Sequence, residues 1–188
     1  VISSIEDNNG RRIKEFIPYS KEVADEKEIF ILRDMMKSVL DGGTGRSLRW
    51  KYKFYSPAGG KTGTTNSKTD AWFIGFTPDI TIGIWVGIDD PEMKLGDKQY
   101  GSNAALPIFA KTINEIYNLG NYSYLGDLIE IDKKKDWDIP DGVIEKNICE
   151  DSCCLKTDFC DSYKEYFIES NFPKGKCEDY SNPLFRFK

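Results

Sequence analysis

Two neighbouring apolar runs constrain most strongly what this chain can fold into. They are Ala71-Trp72-Phe73-Ile74-Gly75-Phe76 and the stretch from Ile80 to Ile88, separated by Thr77-Pro78-Asp79. In the second run Ile80, Ile82, Ile84, Val86 and Ile88 share one face, and Thr81, Gly83, Trp85 and Gly87 the other. β-Branched and aromatic residues at period two, bounded by turn residues, read as strands. The first run is apolar on both alternating faces, and strands of that kind are covered on both sides. An antiparallel meander in the middle of a sheet, with helices on both faces, is therefore predicted. Gly83 and Gly87 are expected to let a helix approach closely.

Immediately before the meander lies Gly59-Gly60-Lys61-Thr62-Gly63-Thr64-Thr65. Glycines let a backbone run close to a ligand. A lysine among threonine hydroxyls offers a point charge and short donors suited to an anion. Upstream, Asp7-Asn8-Asn9-Gly10 predicts a hairpin between two short strands within Val1 to Phe16. A helix should start at the cap Asp25, carry Ile29, Leu32, Met36, Val39 and Leu40 on its buried stripe, and stop at Gly42-Gly43. Thr44-Gly45-Arg46 and a basic-aromatic segment, Arg49-Trp50-Lys51-Tyr52-Lys53-Phe54-Tyr55, follow. That segment reads either as a polymer-binding lip or, more simply, as a solvated edge with buried aromatics. Downstream, a second helix should hold Pro107 in its first turn, bury Leu106, Phe109, Ile113, Ile116 and Tyr117, and end at Gly120.

Composition removes several function classes. A net charge of -5 with no basic patch argues against nucleic acid as a partner. No apolar run approaches the roughly 20 residues of a membrane helix. The chain opens at Val1 with no signal peptide, so it is expected to be a piece of something longer. It contains no histidine, which excludes Ser-His-Asp and Cys-His arrangements and histidine-containing zinc sites. Any nucleophile here would need lysine or a carboxylate as its base. Past Asn121 charge runs begin, and all five cysteines (Cys149, Cys153, Cys154, Cys160 and Cys177) fall near the end. Their clustering suggests a disulfide-stapled tail or a metal knuckle, and the absence of a C-x-x-C pair favours disulfides. Two regions are predicted: 1–120 around the sheet, and 121–188 as a cysteine-containing extension.

Two chemistries compete for the glycine-rich element. A phosphate-binding P-loop requires G-x-x-x-x-G-K-[ST], but its first glycine falls on Tyr55, and strands rather than a helix follow. Lys61-Thr62-Gly63 instead matches the K-T-G box of penicillin-interacting serine enzymes. Three residues alone are weak evidence; their surroundings strengthen them. Thr44-Gly45, Ala58 to Asn66, Asp70-Ala71-Trp72-Phe73-Ile74-Gly75-Phe76-Thr77-Pro78, Trp85-Val86-Gly87 and Ala104-Ala105-Leu106-Pro107-Ile108 occur in that order. The series resembles the C-terminal half of the transpeptidase domain of bifunctional (class A) penicillin-binding proteins, over about Val1 to Tyr117. The likeness continues weakly into the tail.

The resemblance implies a mixed α/β (α+β) fold: part of a penicillin-binding transpeptidase domain, with an antiparallel sheet flanked by helices and a small cysteine-containing tail. It implies a D,D-transpeptidase that cross-links peptidoglycan stem peptides through a serine acyl-enzyme at the outer face of the bacterial membrane. Lys61 would bring positive charge to the substrate carboxylate and tune proton transfer. Thr62 and Thr64 would bind that carboxylate, with Thr65 beside them, and the Thr64 N–H would supply half of an oxyanion hole. Gly63 would let substrate lie along the strand. Stem peptides and β-lactams are the implied ligands, with no cofactor and no metal. The family-like spacing implies a Cys160–Cys177 disulfide.

No serine has lysine three positions later or asparagine two later, and Tyr180-Ser181-Asn182 falls after the K-T-G box. The nucleophile is therefore expected upstream, in the missing half of the same domain, and the chain alone is expected to be inactive. That half would supply two further strands. Without it the last strand should show an unpaired edge and the helix Leu106 to Tyr117 should lack part of its cover, and the chain would self-associate or travel with its upstream half. A carboxypeptidase or β-lactamase relative, or a non-catalytic wall-synthesis scaffold, remains the alternative.

Overall fold

The structure is a computed structural model that describes residues 2–17, 21–65, 69–90, 93–124, 127–150, 154–158 and 160–174. Val1, Asn66, Pro91, Cys153, Cys177 and Tyr180-Ser181-Asn182 lie outside the described residues. The chain opens with the expected hairpin, β1 (Ser4–Glu6) against β2 (Arg12–Glu15), with Gly10 at φ +77° in its turn. Helix α1 (Glu26–Asp41) begins at Asp25, whose carboxylate accepts the Lys27 N–H, and ends at Gly42. This satisfies one of the orphan donors of the first turn.

The short helix α2 (Ser47–Trp50) leads to β3 (Gly59–Thr64), β4 (Asp70–Phe76) and β5 (Thr81–Gly87). These three form an antiparallel sheet in the order β3-β4-β5. Register places Lys61 opposite Ile74, Gly63 opposite Trp72, and Trp72 opposite Trp85. A π-helical turn, Gly101–Ala105, runs directly into α3 (Leu106–Leu119). Gly120 ends α3 in the left-handed conformation expected of a terminating glycine.

All three helices contribute to one apolar core against one face of the sheet. Leu40, Leu48, Phe73, Leu106, Phe109 and Ile113 are fully buried there. The Phe73 and Phe109 rings sit 4.8 Å apart. Burying each such side chain stabilises the fold by about 1.5–3 kcal/mol. The glycine that admits the helix is Gly75, not Gly83 or Gly87: a methyl added at Gly75 would meet the Phe109 ring at 2.5 Å. The space over Gly87 is filled by the Trp85 side chain of its own strand, and a Cβ at Gly83 would meet only Ile74 Cγ1, at 3.8 Å.

Two expectations are corrected here. Among the described residues the expected cover on both faces is found on one face only, since Trp72, Ile74 and Trp85 are 43%, 45% and 46% exposed on the other. The period-two pattern reports that a face is apolar, not what lies over it. On α1, Ile29 and Leu32 are exposed, whereas Phe30 is buried. The helix is rotated because Phe30 packs edge-on to Tyr166, 5.1 Å away in a distant hairpin.

Beyond α3, β6 (Asn121–Tyr124) pairs with β7 (Asp127–Glu130), and β8 (Val143–Cys149) with β9 (Ser162–Ile168). The Tyr122 hydroxyl donates to Asp79 O, and Lys135 pairs with the Asp79 carboxylate at 2.6 Å. Lys37 pairs with Asp136. The tail is thus fastened to both the meander and α1. Its disulfide joins Cys149 to Cys160, so Cys160 is not available to Cys177 as expected. Register decides the matter: Cys149 faces Ser162 across β8–β9, which brings Cys160 to a Cα–Cα distance of 5.6 Å.

Candidate active site

The site is built on β3. Its inner edge pairs with β4, and among the described residues no strand pairs with its outer edge. Thr65 N–H donates to Asp70 O across the β3–β4 junction. Backbone groups alternate in direction along an antiparallel strand, so the N–H of Thr64 points away from β4, toward the open edge. Side chains alternate as well. Lys61 and Gly63 share the face of Trp72 and Ile74, while Thr62 and Thr64 share the core face of Phe73 and Ala71.

The hydroxyl side of this strand is held by two contacts from elsewhere in the chain. Thr44, in the loop after α1, hydrogen-bonds Thr62 hydroxyl to hydroxyl at 2.9 Å. Gly101, opening the π-helical turn, donates its N–H to Thr64 Oγ1 at 3.3 Å. Gly101 can do so because it has no side chain: a Cβ there would lie 2.3 Å from Trp72 O and 2.8 Å from Gly63 O. With Gly101 on one lone pair, the Thr64 hydroxyl keeps its own proton to donate outward. Lys61 is exposed and donates from Nζ to Thr62 O at 2.8 Å, which holds the ammonium beside the strand.

At the end of β3, Thr65 Oγ1 accepts the N–H groups of Thr69 and Asp70. Asp70 accepts from Thr69 Oγ1 at 2.7 Å and from Trp85 Nε1 at 2.8 Å. Hydrogen bonds from Thr69, then Trp85 and Thr65, hold its carboxyl below the ordinary carboxylate range. Thr65 therefore buttresses the turn. Together β3 offers a cation, an outward N–H and threonine hydroxyls along one open strand edge. This set can hold an extended peptide with a terminal carboxylate and stabilise a developing oxyanion. Among the described residues no group of three histidine, cysteine, aspartate or glutamate side chains could hold a metal ion.

The family profile described as the penicillin binding protein transpeptidase domain matches residues 1–114, over half of the chain. The chain belongs to the penicillin-binding protein transpeptidase family. A second profile, the C-terminal domain of penicillin-binding protein 1A, matches residues 139–182. The chain is 31% identical over 181 residues to penicillin-binding protein 1A of Aquifex aeolicus, which covers 95% of the chain and 22% of that relative. It is 32% identical over 193 residues to the protein of the same name from Clostridium tetani, again covering 22% of it. The chain thus spans about a fifth of the length of these relatives. A crystal structure of penicillin-binding protein 1A from Haemophilus influenzae superposes with a TM-score of 0.71 at 23% identity, over 94% of this chain and 30% of that one. That likeness shows the same fold.

Lys61, Thr62, Gly63, Thr64 and Thr65 thus lie on one strand or its end, as their order implies. Sequence reasoning assigned no role to Gly101, and Asp70 and Trp85 figured only as motif and strand residues. Thr44 figured only as part of a motif, although its neighbour glycine marked it as a turn beside the core.

Proposed function

We propose that the chain forms one wall of the acyl-transfer cleft of a peptidoglycan D,D-transpeptidase. The open edge of β3, with its outward Thr64 N–H between the Lys61 ammonium and the Thr62 and Thr64 hydroxyls, carries this reading. The stem peptide lies along β3 as an added strand, its terminal carboxylate toward Lys61, Thr62 and Thr64. A serine from the upstream part of the domain attacks the penultimate carbonyl. Its Oγ–C bond forms, the C–N bond breaks, and D-alanine leaves with the serine's proton. Thr64 N–H stabilises the oxyanion, a donor worth about 3–4 kcal/mol in such sites. An acceptor amine then displaces the serine, which recovers a proton as the cross-link forms. β-Lactams acylate the same serine.

The exposed face of Trp72, Ile74 and Trp85 receives the upstream part of the domain. An uncovered aromatic face of this kind marks a contact surface. The division into 1–120 and 121–188 is supported by the two profile matches. Action outside the cytoplasmic membrane follows from the substrate, and a disulfide agrees with that compartment. The anchor would belong to another segment, since among the described residues no helix is long and apolar enough to cross a membrane.

Labelling by a fluorescent penicillin tests the reading. The full-length protein should label, Lys61→Ala should label roughly a hundredfold more slowly, and residues 1–188 alone should stay dark. A full-length protein that never labels overturns the proposal in favour of a non-catalytic scaffold.

A further inference from the structure

The basic-aromatic segment after α1 is not used by the chemistry above. Its residues divide sharply by environment. Phe54 is buried and Tyr52 packs on the core, while Trp50 and Tyr55 are 61% and 67% exposed. Arg49 points inward, donating to Phe54 O and Ser56 O at 2.9 Å each and pairing with Asp41. The segment is therefore a fixed shelf that holds Trp50 outward.

Between that shelf and the π-helical turn runs an open groove of about 370 Å³, floored by Pro107. Ser47, Trp50, Lys51 and Tyr52 form one wall, and Ser102 and Asn103 form the other. The Lys51 ammonium lies over the Tyr52 ring at 5.2 Å, and Asn114 fixes the Tyr52 carbonyl to α3 at 3.1 Å. Both walls are anchored on β3. The first begins just past Thr44, whose hydroxyl bonds Thr62. The second begins at Gly101, whose N–H bonds Thr64. The groove is thus bounded by two segments that each follow directly on a residue bonded to β3.

We propose that this groove binds an N-acetylated glycan chain, the polymer to which the stem peptide is attached; the inference rests on the transpeptidase reading above. An exposed indole gives an apolar platform with a polar edge, suited to the C–H face of a sugar. The two serine hydroxyls and the Asn103 amide supply neutral donors and acceptors for hydroxyl and acetamido groups. No lining residue is acidic, and one is basic, so the groove tolerates the anionic groups of the polymer. A peptide occupant is disfavoured because its backbone needs a strand edge, which β3 provides and this groove does not.

The test is calorimetric titration of the full-length protein with glycan chains stripped of peptide by an amidase, beside free stem pentapeptide. The parent should bind the stripped glycan. Trp50→Ala should weaken that binding at least tenfold, and Trp50→Phe should keep it within about threefold, since a flat ring remains. Because Trp50 is exposed, unchanged unfolding midpoints are expected for both variants. No binding of stripped glycan by the parent, or equal binding by Trp50→Ala, overturns the proposal. So does a Trp50→Ala effect confined to free pentapeptide, which would make the groove a peptide subsite. Penicillin labelling of the same parent preparation separates the two readings. A labelled parent that ignores glycan loses only the groove assignment, whereas an unlabelled parent loses the transpeptidase reading itself.

Discussion

Gly101→Ala attacks the joint between the π-helical turn and the K-T-G strand. The new Cβ would stand 2.3 Å from Trp72 O, 2.8 Å from Gly63 O and 3.2 Å from Gly63 N, where ordinary contact begins at 3.4 Å. All three atoms are backbone, and Gly63 and Trp72 are paired across β3–β4, so the sheet cannot yield cheaply. The turn must withdraw by about 1 Å, which breaks a Gly101 N–H to Thr64 bond that is already 3.3 Å long. Overpacking of this sort costs about 1–3 kcal/mol. The lost hydrogen bond adds roughly 1 kcal/mol. The corresponding fall in unfolding midpoint is about 5–15 °C for a domain of this size. The functional effect should be separable. With its acceptor side vacated, the Thr64 hydroxyl can turn its proton inward, so penicillin acylation should slow at temperatures where the variant remains folded. Differential scanning fluorimetry and the second-order acylation rate, measured on the full-length protein, report the two effects. A midpoint within a degree of the parent together with an unchanged acylation rate would refute the argument that Gly101 is chosen for close approach.

Non-reducing peptide mapping should recover Cys149 joined to Cys160, and Cys149→Ser should lower stability by about 3 kcal/mol, the chain-entropy value for so short a loop; a Cys160–Cys177 peptide would contradict the register of β8 and β9. Asp70 should contribute stability that is complete above the ordinary carboxylate value of 3.8 and is lost as pH falls through its lowered folded value. Asp70→Asn should therefore flatten the acid limb of a midpoint-versus-pH curve, and an unaltered limb would show that the Thr69 and Trp85 bonds do not favour the ionised form.

What was legible in the sequence was what local pattern encodes. The meander follows from period two in Ala71–Phe76 and Ile80–Ile88, and both helices stop where glycine follows their last periodic residue. The features that were not legible depend on partners far along the chain. The rotation of α1 is set by Tyr166, the bridge of Cys160 by strand register, and the exposure of Trp72 by nothing within the meander. The candidate site divides in the same way. Lys61 to Thr65 could be read as a string because they are consecutive on one strand. Thr44 and Gly101 could not, because they reach Thr62 and Thr64 across 18 and 37 positions.

The open edge of β3 also bears on how such a protein can escape an inhibitor. Much of what this edge presents is peptide N–H and C=O, which are the same atoms whichever residue a codon specifies. A molecule that copies the backbone of the natural substrate competes for groups that point mutation cannot delete. Under the proposed function, resistance arising within this stretch must act on the Lys61, Thr62 and Thr64 side chains or on the strand's supports, Thr44 and Gly101. Changes there disturb the position of the same groups that the proposed peptide substrate needs, so each gain against such a drug would be drawn from the proposed reaction.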